Sequence, residues 1–323
     1  MKSKSVFLIV VLGFLIPFHV ATAQNTKVEL PTKFKANRVF VTPVTASGDT
    51  LRFYTDSGGG TNIIWPSTVQ RLGLATRKHP MPPDTTATVA TLPPFKQTAS
   101  IPHPPASTAL GTTLVVSPGP WWLIEGSDGF LGSPWFSTRT WEFDYPGESL
   151  SLLRNFDTAN RLDEHTVTLG FQTNPNGEKT MYFPRITISV DGDSIDMLFD
   201  TGATLIPQRH TAEALGKNDT SPIGVSFIAD SIFQQWKSEH PDWTVIQNAE
   251  QQTGLPIIKV PEIGIAGYEV GPVWFTKRPN RNFVRRMSRW IDKTIYGAVG
   301  SSAFQYFRII IDYPEEKAVF YRE

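Results

Sequence analysis

Two aspartates, Asp56 and Asp200, occur in the same short setting, in which an apolar strand leads into Asp-Ser-Gly or Asp-Thr-Gly. Two such loops, one from each half of the chain, can bring two carboxylates together across an interface. Because close carboxylates do not both ionise easily, they share a proton, and one site then holds an acid and a base. The pattern therefore predicts general acid–base chemistry on a bound water molecule.

The residues near each aspartate are suited to hold its carboxylate in place. A short hydroxyl follows each aspartate, and the next glycine permits a tight turn whose backbone N–H groups point at the carboxylate. Further along the chain, two apolar-Gly segments predict close backbone packing behind the loops. These supporting residues are Ser57, Gly58, Thr201 and Gly202 in the loops, and Leu131, Gly132, Val299 and Gly300 in the apolar-Gly segments.

An internal repeat indicates that the two aspartates belong to equivalent halves. Residues 129–136 and 297–304 share both glycines, a serine and a phenylalanine in an ungapped match. Each segment leads, at identical spacing, to a strand that ends in Asp-Tyr-Pro, and each Asp-Ser/Thr-Gly loop precedes its segment in the same order. The repeat predicts two homologous lobes, over 24–160 and 161–323.

The composition favours an all-β fold with a few short helices. The chain has 24 glycines, 26 prolines and 12% aromatic residues, which is typical of short strands and many turns. Helices are predicted over 67–73, 209–216, 226–239 and 282–293. Strands are predicted over 38–44, 50–55, 113–117, 140–144, 150–153, 185–190, 194–200, 256–260, 262–266, 270–276, 307–312 and 318–321.

Residues 1–23 are typical of a secretory signal peptide. Lys2 and Lys4 precede an apolar stretch over 6–18, and the small residues at 21–23 read as a cleavage site. The apolar stretch is shorter than the about 20 residues that a membrane span needs. The mature protein is therefore expected to be secreted or periplasmic, with no membrane association after signal removal.

Composition also limits the chemistry and the partners. The chain contains no cysteine, which excludes disulfides and thiolate metal sites, and its six histidines lack metal-site spacing. Neither a metal nor another cofactor is predicted. The formal net charge of zero argues against nucleic acid as the main partner. A basic cluster is expected to be either a solvated helix face or an anion-binding patch, and its members are Arg278, Arg281, Arg285, Arg286 and Arg289.

These motifs resemble those of the aspartic peptidase superfamily, which includes the two-lobed pepsin-like enzymes and the retropepsin-like enzymes. Residues 56–67 resemble the first catalytic loop of the two-lobed enzymes, with one extra residue. Residues 200–204 are nearest to the retropepsin form of the second loop. Residues 128–132 and 298–300 resemble the segments that support those loops. The resemblance covers nearly all of the expected mature chain, as separate motifs.

The resemblance implies a definite fold and activity. It implies two homologous β-barrel lobes with a cleft between them, and a monomeric aspartic endopeptidase whose partner is a polypeptide substrate. The extended substrate is expected to lie in the cleft as an added strand. Asp56 and Asp200 are the implied catalytic residues. The hydroxyls of Ser57 and Thr201 are implied to bond across to the opposite loop.

The chain departs from the family pattern at two places. Gly59 and Ala203 occupy the positions where pepsin-like enzymes usually carry a hydroxyl that donates to the carboxylate. Loss of this donor is expected to raise the pKa of the carboxyl and to make the activity optimum less acidic than that of pepsin. No tyrosine lies between the first loop and its apolar-Gly segment, where a flap tyrosine is usual. Trp121 or Trp122 is either its substitute or a core aromatic.

Two other functions stay open at this level. A non-catalytic module that keeps the fold and binds extended peptides fits the glycine-rich first loop and the missing flap tyrosine. A glycosidase also uses paired carboxylates, but these stand about 5 Å or more apart, so geometry distinguishes it. The proline-rich segment 80–105 is expected to be an extended surface loop or a mobile cover over a cleft. Asp144 and Asp312 are expected to close turns.

Overall fold

The computed structural model describes residues 26–81, 85–96, 100–108, 110–119, 124–156, 158 and 165–322. With 40% strand and 15% helix, the protein is mostly β, which confirms the predicted class. The expected signal peptide and the two tryptophans at 121 and 122 lie outside the described residues. Within the described ranges, no helix is both long and apolar enough to cross a membrane.

The strands are short and are numbered in chain order. They are β1 (Thr26–Glu29), β2 (Thr32–Lys35), β3 (Arg38–Val41), β4 (Phe53–Thr55), β5 (Ile63–Ile64), β6 (Thr76–Met81), β7 (Thr85–Thr91), β8 (Thr113–Val116), β9 (Gly129–Leu131), β10 (Thr140–Asp144), β11 (Ser149–Arg154), β12 (Thr166–Thr168), β13 (Arg185–Val190), β14 (Asp193–Phe199), β15 (Thr204–Leu205), β16 (Ile223–Gly224), β17 (Ser226–Ala229), β18 (Val245–Ile246), β19 (Ile257–Val260), β20 (Ile263–Ile265), β21 (Tyr268–Val270), β22 (Val273–Arg278), β23 (Gly297–Val299), β24 (Arg308–Asp312) and β25 (Lys317–Tyr321).

The helices are short and lie between strands. The predicted helix over 282–293 is observed as a π-helical turn, Arg281–Arg286, followed by a 3₁₀ turn, Met287–Trp290. The helices predicted over 67–73 and 209–216 are present. The α-helices are α1 (Pro66–Arg71), α2 (Ser133–Phe136), α3 (Arg209–Ala214), α4 (Asp230–Glu239) and α5 (Ser301–Phe304).

Two predictions of local structure are wrong in part. The predicted helix over 226–239 begins with strand β17, because Ser226–Ala229 lies between β22 and β23 and pairs with both. Only Asp230–Glu239 is helical. The predicted strand over 270–276 is divided into β21 and β22, because Pro272 has no N–H to donate to a ladder.

A six-stranded sheet joins the two halves of the chain. Its strand order is β1-β11-β10-β24-β25-β12. Strands β10 and β24, which are equivalent in the internal repeat, pair antiparallel at its centre, with Glu142 opposite Ile310. The first half supplies β11 and β1 on one side, and the second half supplies β25 and β12 on the other. The sheet is therefore approximately symmetric about the β10–β24 pair.

The two larger sheets repeat one topology. The eight-stranded sheet has the order β2-β3-β4-β9-β5-β8-β7-β6, and the nine-stranded sheet has the order β18-β19-β22-β17-β23-β14-β13-β20-β21. In the eight-stranded sheet, the neighbours from β3 to β7 pair in the succession antiparallel, parallel, antiparallel, parallel, antiparallel. In the nine-stranded sheet, the neighbours from β13 to β19 pair in the same succession. This shared succession places β4 and β14, which precede the two aspartates, in equivalent positions.

The expected closure of each half into a barrel is not observed. A barrel closes only when its first and last strands pair. Among the described residues, the eight-stranded sheet ends at β2 and β6, and the nine-stranded sheet ends at β18 and β21. Both are open sheets.

The proline-rich segment 80–105 contributes strand structure where a loop or cover was expected. Strands β6 and β7 form an antiparallel hairpin, with Thr76 opposite Ala90 and Met81 opposite Thr85. Strand β7 then pairs with β8. The β-branched residues of β7 suit a pleated surface, which explains why this part joins the sheet.

Aromatic side chains continue from the core to the base of the site. Phe136 stacks on Tyr313 with ring centroids 6.1 Å apart, so the two halves share one core. Phe199, the residue before Asp200, stacks on Phe304 with ring centroids 4.2 Å apart. Both phenylalanine rings of this second pair are fully buried. Because cores are close-packed, this contact gives the second aspartate a rigid base.

Candidate active site

The two aspartates follow equivalent strands and have equivalent backbone contacts. Asp56 follows β4, which pairs parallel with β9, and its N–H donates to the carbonyl of Leu131 at 3.0 Å. Asp200 follows β14, which pairs parallel with β23, and its N–H donates to the carbonyl of Val299 at 2.9 Å. Each apolar-Gly segment therefore supports the loop of its own half.

Reciprocal hydrogen bonds connect the two loops. The N–H of Ser57 donates to the hydroxyl of Thr201, and the N–H of Thr201 donates to the hydroxyl of Ser57, both at 3.0 Å. The Ser57 hydroxyl also donates to the carbonyl of Phe199 at 2.8 Å. Ser57 and Thr201 are both buried, so these bonds are shielded from water. They set the position of one loop relative to the other.

Each carboxyl lies over the glycine of the opposite loop. A β-carbon added to Gly58 would lie 2.7 Å from the carboxyl carbon of Asp200. One added to Gly202 would overlap the carboxyl carbon of Asp56. Only glycine therefore leaves room for both carboxyls. Each glycine N–H also donates at 2.8 Å to the aspartate of its own loop.

The carboxyl groups of Asp56 and Asp200 lie beside each other, each over the glycine of the opposite loop, and their charges interact. Burial raises the pKa of Asp200 well above its ordinary value of 3.8, and the charge of Asp56 raises it further. Burial also raises the pKa of Asp56, against the contact with the Asp200 carboxyl and the hydrogen bond that it accepts from the Gly58 N–H. The pair therefore retains a proton at pH values where an isolated aspartate is ionised.

Gly59 and Ala203 follow the Asp-Ser-Gly and Asp-Thr-Gly turns and are tightly packed. The N–H groups of Gly59 and Ala203 donate to the main-chain carbonyls of Asp56 and Asp200, at 3.1 and 3.5 Å. Both N–H groups also oppose the rise in the pKa of the carboxyl in their own loop. A β-carbon at Gly59 would lie 2.6 Å from the ring of Phe130. Ala203 packs against Gly300, where an added β-carbon would approach it to 2.8 Å. Close packing therefore explains why these positions hold small residues.

The glycines of the two apolar-Gly segments pack against backbone. A β-carbon at Gly132 would lie 2.5 Å from the carbonyl oxygen of Gly59. The N–H of Gly132 donates to the side chain of Asn62 at 2.9 Å, and that of Gly300 donates to the hydroxyl of Ser226 at 3.0 Å. The sequence analysis did not identify Asn62 or Ser226 as supporting residues. Asn62 lies within the first loop motif, whereas no local pattern distinguishes Ser226.

Tyr54 is a further residue that the sequence analysis missed. It lies in β4, two residues before Asp56, and it is buried. Its hydroxyl donates to the carbonyl of Gly202 and also contacts the hydroxyl of Thr204, both at 3.0 Å. Tyr54 therefore extends from the first half to the base of the second loop. Burial raises its pKa, so the hydroxyl keeps its proton.

Asp144 and Asp312 are not a second catalytic pair. Asp144 accepts the N–H of Gly147 at 2.8 Å, and Asp312 accepts the N–H of Glu315 at 3.1 Å. These are the local bonds expected of aspartates that close turns. Asp312 also accepts the hydroxyl of Thr158 at 2.6 Å.

A cavity of about 200 Å³ lies beside the first loop. Its wall includes residues 60–62 of that loop, Pro80 and Met81 at the end of β6, and Met181 and Tyr182 from the second half. The cavity therefore lies between the β6–β7 hairpin and the second half of the chain.

No model of a known protein family matches this chain, and no curated protein sequence matches it. In the described part of the chain, no group of three or more His, Cys, Asp or Glu side chains is arranged to hold a metal ion. Function is therefore inferred from the geometry of the two loops and from the resemblance of their motifs.

The bonds between the loops lead to a stability prediction. Thr201→Val removes the acceptor of the buried Ser57 N–H, whereas Thr201→Ser keeps it. An unpaired buried donor costs about 1–3 kcal/mol, and loss of one methyl group costs about 0.8 kcal/mol. We therefore expect the valine variant to lose more free energy of unfolding, measured in denaturant, than the serine variant. Equal losses would mean that the hydroxyl does not carry the contact.

Proposed function

We propose that this protein is an exported aspartic endopeptidase in which Asp56 and Asp200 form the catalytic pair. One observation carries the proposal, namely that each carboxyl lies over the glycine of the opposite loop, between loops that bond reciprocally to each other. A shared proton supplies an acid and a base at a single point, which amide hydrolysis requires. The expected signal peptide supports the exported, secreted or periplasmic location.

The proposed architecture is the two-lobed arrangement of the pepsin-like and retropepsin-like enzymes, with a cleft between the lobes. Its support is the shared pairing succession of the two larger sheets and the symmetric six-stranded sheet between the halves. The open sheets described above take the place of the closed barrels that the family resemblance implied. The lobes are assigned to residues 24–160 and 161–323.

In the proposed mechanism, the ionised member of the pair takes a proton from a water molecule held between the carboxyls. The water oxygen attacks the scissile carbonyl carbon, and the protonated member donates to the carbonyl oxygen. The resulting tetrahedral intermediate collapses as the amine nitrogen receives a proton and the C–N bond breaks. No covalent bond to the enzyme forms. The proton belongs to the pair rather than to one residue.

The proposed substrate is an extended polypeptide. Strand β6 forms an edge of the eight-stranded sheet, and its last residues border the cavity beside the first loop. An extended chain can add to a sheet edge through main-chain hydrogen bonds, while pockets accept alternate side chains. In this arrangement the β6–β7 hairpin covers the cleft. Trp121 or Trp122 stays a prediction for the flap aromatic, because both lie outside the described residues.

The geometry favours a peptidase over a glycosidase. Glycosidase carboxyls stand about 5 Å or more apart, to accommodate a sugar carbon or a water between them. The carboxyls of Asp56 and Asp200 each lie over the glycine of the opposite loop, which favours a closer, proton-sharing pair. The non-catalytic peptide-binding module has the same fold, and an activity measurement separates it from the enzyme.

The test is cleavage of an unfolded protein over a pH series by the wild type and by Asp56→Asn. We expect cleavage by the wild type and a fall of about 10³-fold or more in the variant, because general acid–base catalysis is lost. The optimum is expected to be less acidic than about pH 2, because burial raises both pKa values. Equal background turnover by both proteins would favour the peptide-binding module.

A further inference from the structure

The basic cluster noted in the sequence continues into a segment with unusual exposure. Residues 281–296, here called the basic-aromatic segment, contain five cations and a single carboxylate, whereas the whole chain has a net charge of zero. The five cations are all exposed. Among the described residues, the exposed large hydrophobic side chains are Trp290, 49% exposed, and Tyr296, 37% exposed, and both belong to this segment. The cations are Arg281, Arg285, Arg286, Arg289 and Lys293.

The five cations of this segment form no ion pair with the described residues. Its one carboxylate, Asp292, accepts both arms of the Arg185 guanidinium at 2.8 Å. The arginine ion pairs of the described residues are made elsewhere in the fold, for example by Arg278, which binds Glu250 through two 2.8 Å bonds. The five cations of the segment therefore face solvent without a carboxylate partner in the described part of the chain.

The segment is held firmly, so its charges are presented on a defined surface. The hydroxyl of Ser288 donates to the carbonyl of Phe283 at 2.8 Å and accepts the N–H of Ile295 at 3.0 Å. The side chain of Gln172 donates to the carbonyl of Arg289 at 2.6 Å. An ordered cation site loses less entropy on binding than a mobile one does.

The segment shares a small core with the wall of the cleft. Phe283, Ile291 and Ile295 pack in one buried cluster with Phe183, and Met181 packs against the same cluster. Met181 lines the cavity beside the first loop. Phe183 approaches that loop directly, since a β-carbon on Gly60 would lie 3.1 Å from its ring. The segment and the wall of the cavity are therefore adjacent through this cluster.

We propose that the basic-aromatic segment binds an acidic stretch of the polypeptide substrate that continues out of the cleft. Five cations without a carboxylate partner among the described residues favour an anionic partner by charge complementarity. Exposed Trp, Tyr and Arg side chains are the types that dominate binding energy in protein–protein contacts. The shared core with the cleft wall favours a polypeptide that is already in the cleft over a membrane surface. This inference rests on the proposed function for the identity of the cleft.

The test compares two labelled peptides that differ only in Glu and Asp against Gln and Asn. Their dissociation constants are measured by fluorescence anisotropy on the Asp56→Asn protein, which is not expected to cleave them. We expect the acidic peptide to bind about tenfold more tightly than the neutral one. Added salt should remove the difference because it screens exposed charges. In the variant Arg285→Gln/Arg286→Gln/Arg289→Gln, the two peptides should bind alike.

A matched control removes the same number of charges elsewhere. Lys33→Gln/Lys217→Gln/Lys237→Gln changes three exposed lysines outside the segment. This control should keep the preference for the acidic peptide. Equal loss in both triple variants, or equal binding of both peptides to the starting protein, would overturn the proposal. Sedimentation with anionic lipid vesicles but no preference for the acidic peptide would also overturn it, in favour of a membrane surface.

The two proposals fail in different ways. If the wild type cleaves both peptides with the same kcat/KM and neither binds preferentially, the segment proposal fails and the enzymatic proposal stands. If the wild type cleaves nothing but the acidic peptide binds preferentially through the segment, the enzymatic proposal fails and the binding surface stands.

Discussion

Asp200→Asn is expected to abolish cleavage and, at neutral pH, to increase the free energy of unfolding. The two effects have opposite signs because the carboxyl that is proposed to take part in catalysis destabilises the folded state when it is charged. Burial and the neighbouring Asp56 raise the pKa of Asp200 well above 3.8. Asparagine keeps an oxygen that can accept the Gly202 N–H, but it carries no charge.

The direction of this pH dependence follows from proton binding. Between about pH 3.8 and the raised pKa, the folded state holds a proton that the unfolded state has lost, so stability falls as pH rises. Below this pH window the carboxyl is protonated in both the folded and the unfolded state, so its ionisation does not change the free energy of unfolding. Above the window it is ionised in both states, and the destabilisation has reached its full value. The stability difference between the variant and the wild type should therefore be smallest in acid and grow as the pH rises towards neutral.

The measurement is denaturant unfolding at several pH values, together with the cleavage assay. Asp219→Asn is a suitable control, because hydrogen bonds from Ser221 lower the pKa of this exposed carboxyl. Stabilisation at neutral pH is therefore expected for Asp200→Asn and not for Asp219→Asn. If Asp200→Asn were as active as the wild type, or less stable than it at neutral pH, the paired and buried state of this carboxyl would be disproved.

Gly202→Ala is expected to impair both folding and activity. Its β-carbon would overlap the carboxyl of Asp56, which lies over this glycine. Because the loop is held by its bonds to Ser57 and by the Tyr54 hydroxyl, the carboxyl must move. Overpacking of a buried site costs about 1–3 kcal/mol. A displacement of about 1 Å in a catalytic group lowers the rate by about 10²-fold.

Gly60→Ala is the matched control for this variant. It adds the same methyl group to the first loop, where the β-carbon would meet only the edge of the Phe183 ring at 3.1 Å. Unfolding and cleavage measurements should show a small effect at Gly60 and a large one at Gly202. Comparable effects at both positions would mean that the two carboxyls do not lie over the opposite glycines.

The loops and their supports were accessible from the sequence because their chemistry is local. Asp56-Ser57-Gly58 specifies a turn by itself, and the repeat between 129–136 and 297–304 identifies its equivalent in the other half. The predicted β class follows from the abundance of turn residues and short apolar runs. Strands β10 and β13 were predicted with the bounds that the structure has.

Other elements could not be predicted from the sequence, because their secondary structure depends on pairing with residues far away in the chain. Ser226–Ala229 is a strand since two strands from far along the chain flank it, and its own residues also suited a helix. The β6–β7 hairpin depends on pairing with β8, which overrides the high proline content of that segment. The contact of Tyr54 with Gly202 joins residues 148 positions apart, and no local sequence pattern predicts it.

The sequence by itself determined that two equivalent acidic turns exist, each with a hydroxyl, a glycine and a supporting apolar-Gly segment. Only the tertiary structure decided that these turns face each other, that Ser57 and Thr201 bond across the interface, and that both halves are open sheets. The difference arises from the sequence separation of the residues that interact. Turn geometry depends on neighbouring residues, whereas a shared proton depends on the ångström-scale separation of two groups that are 144 residues apart in the chain.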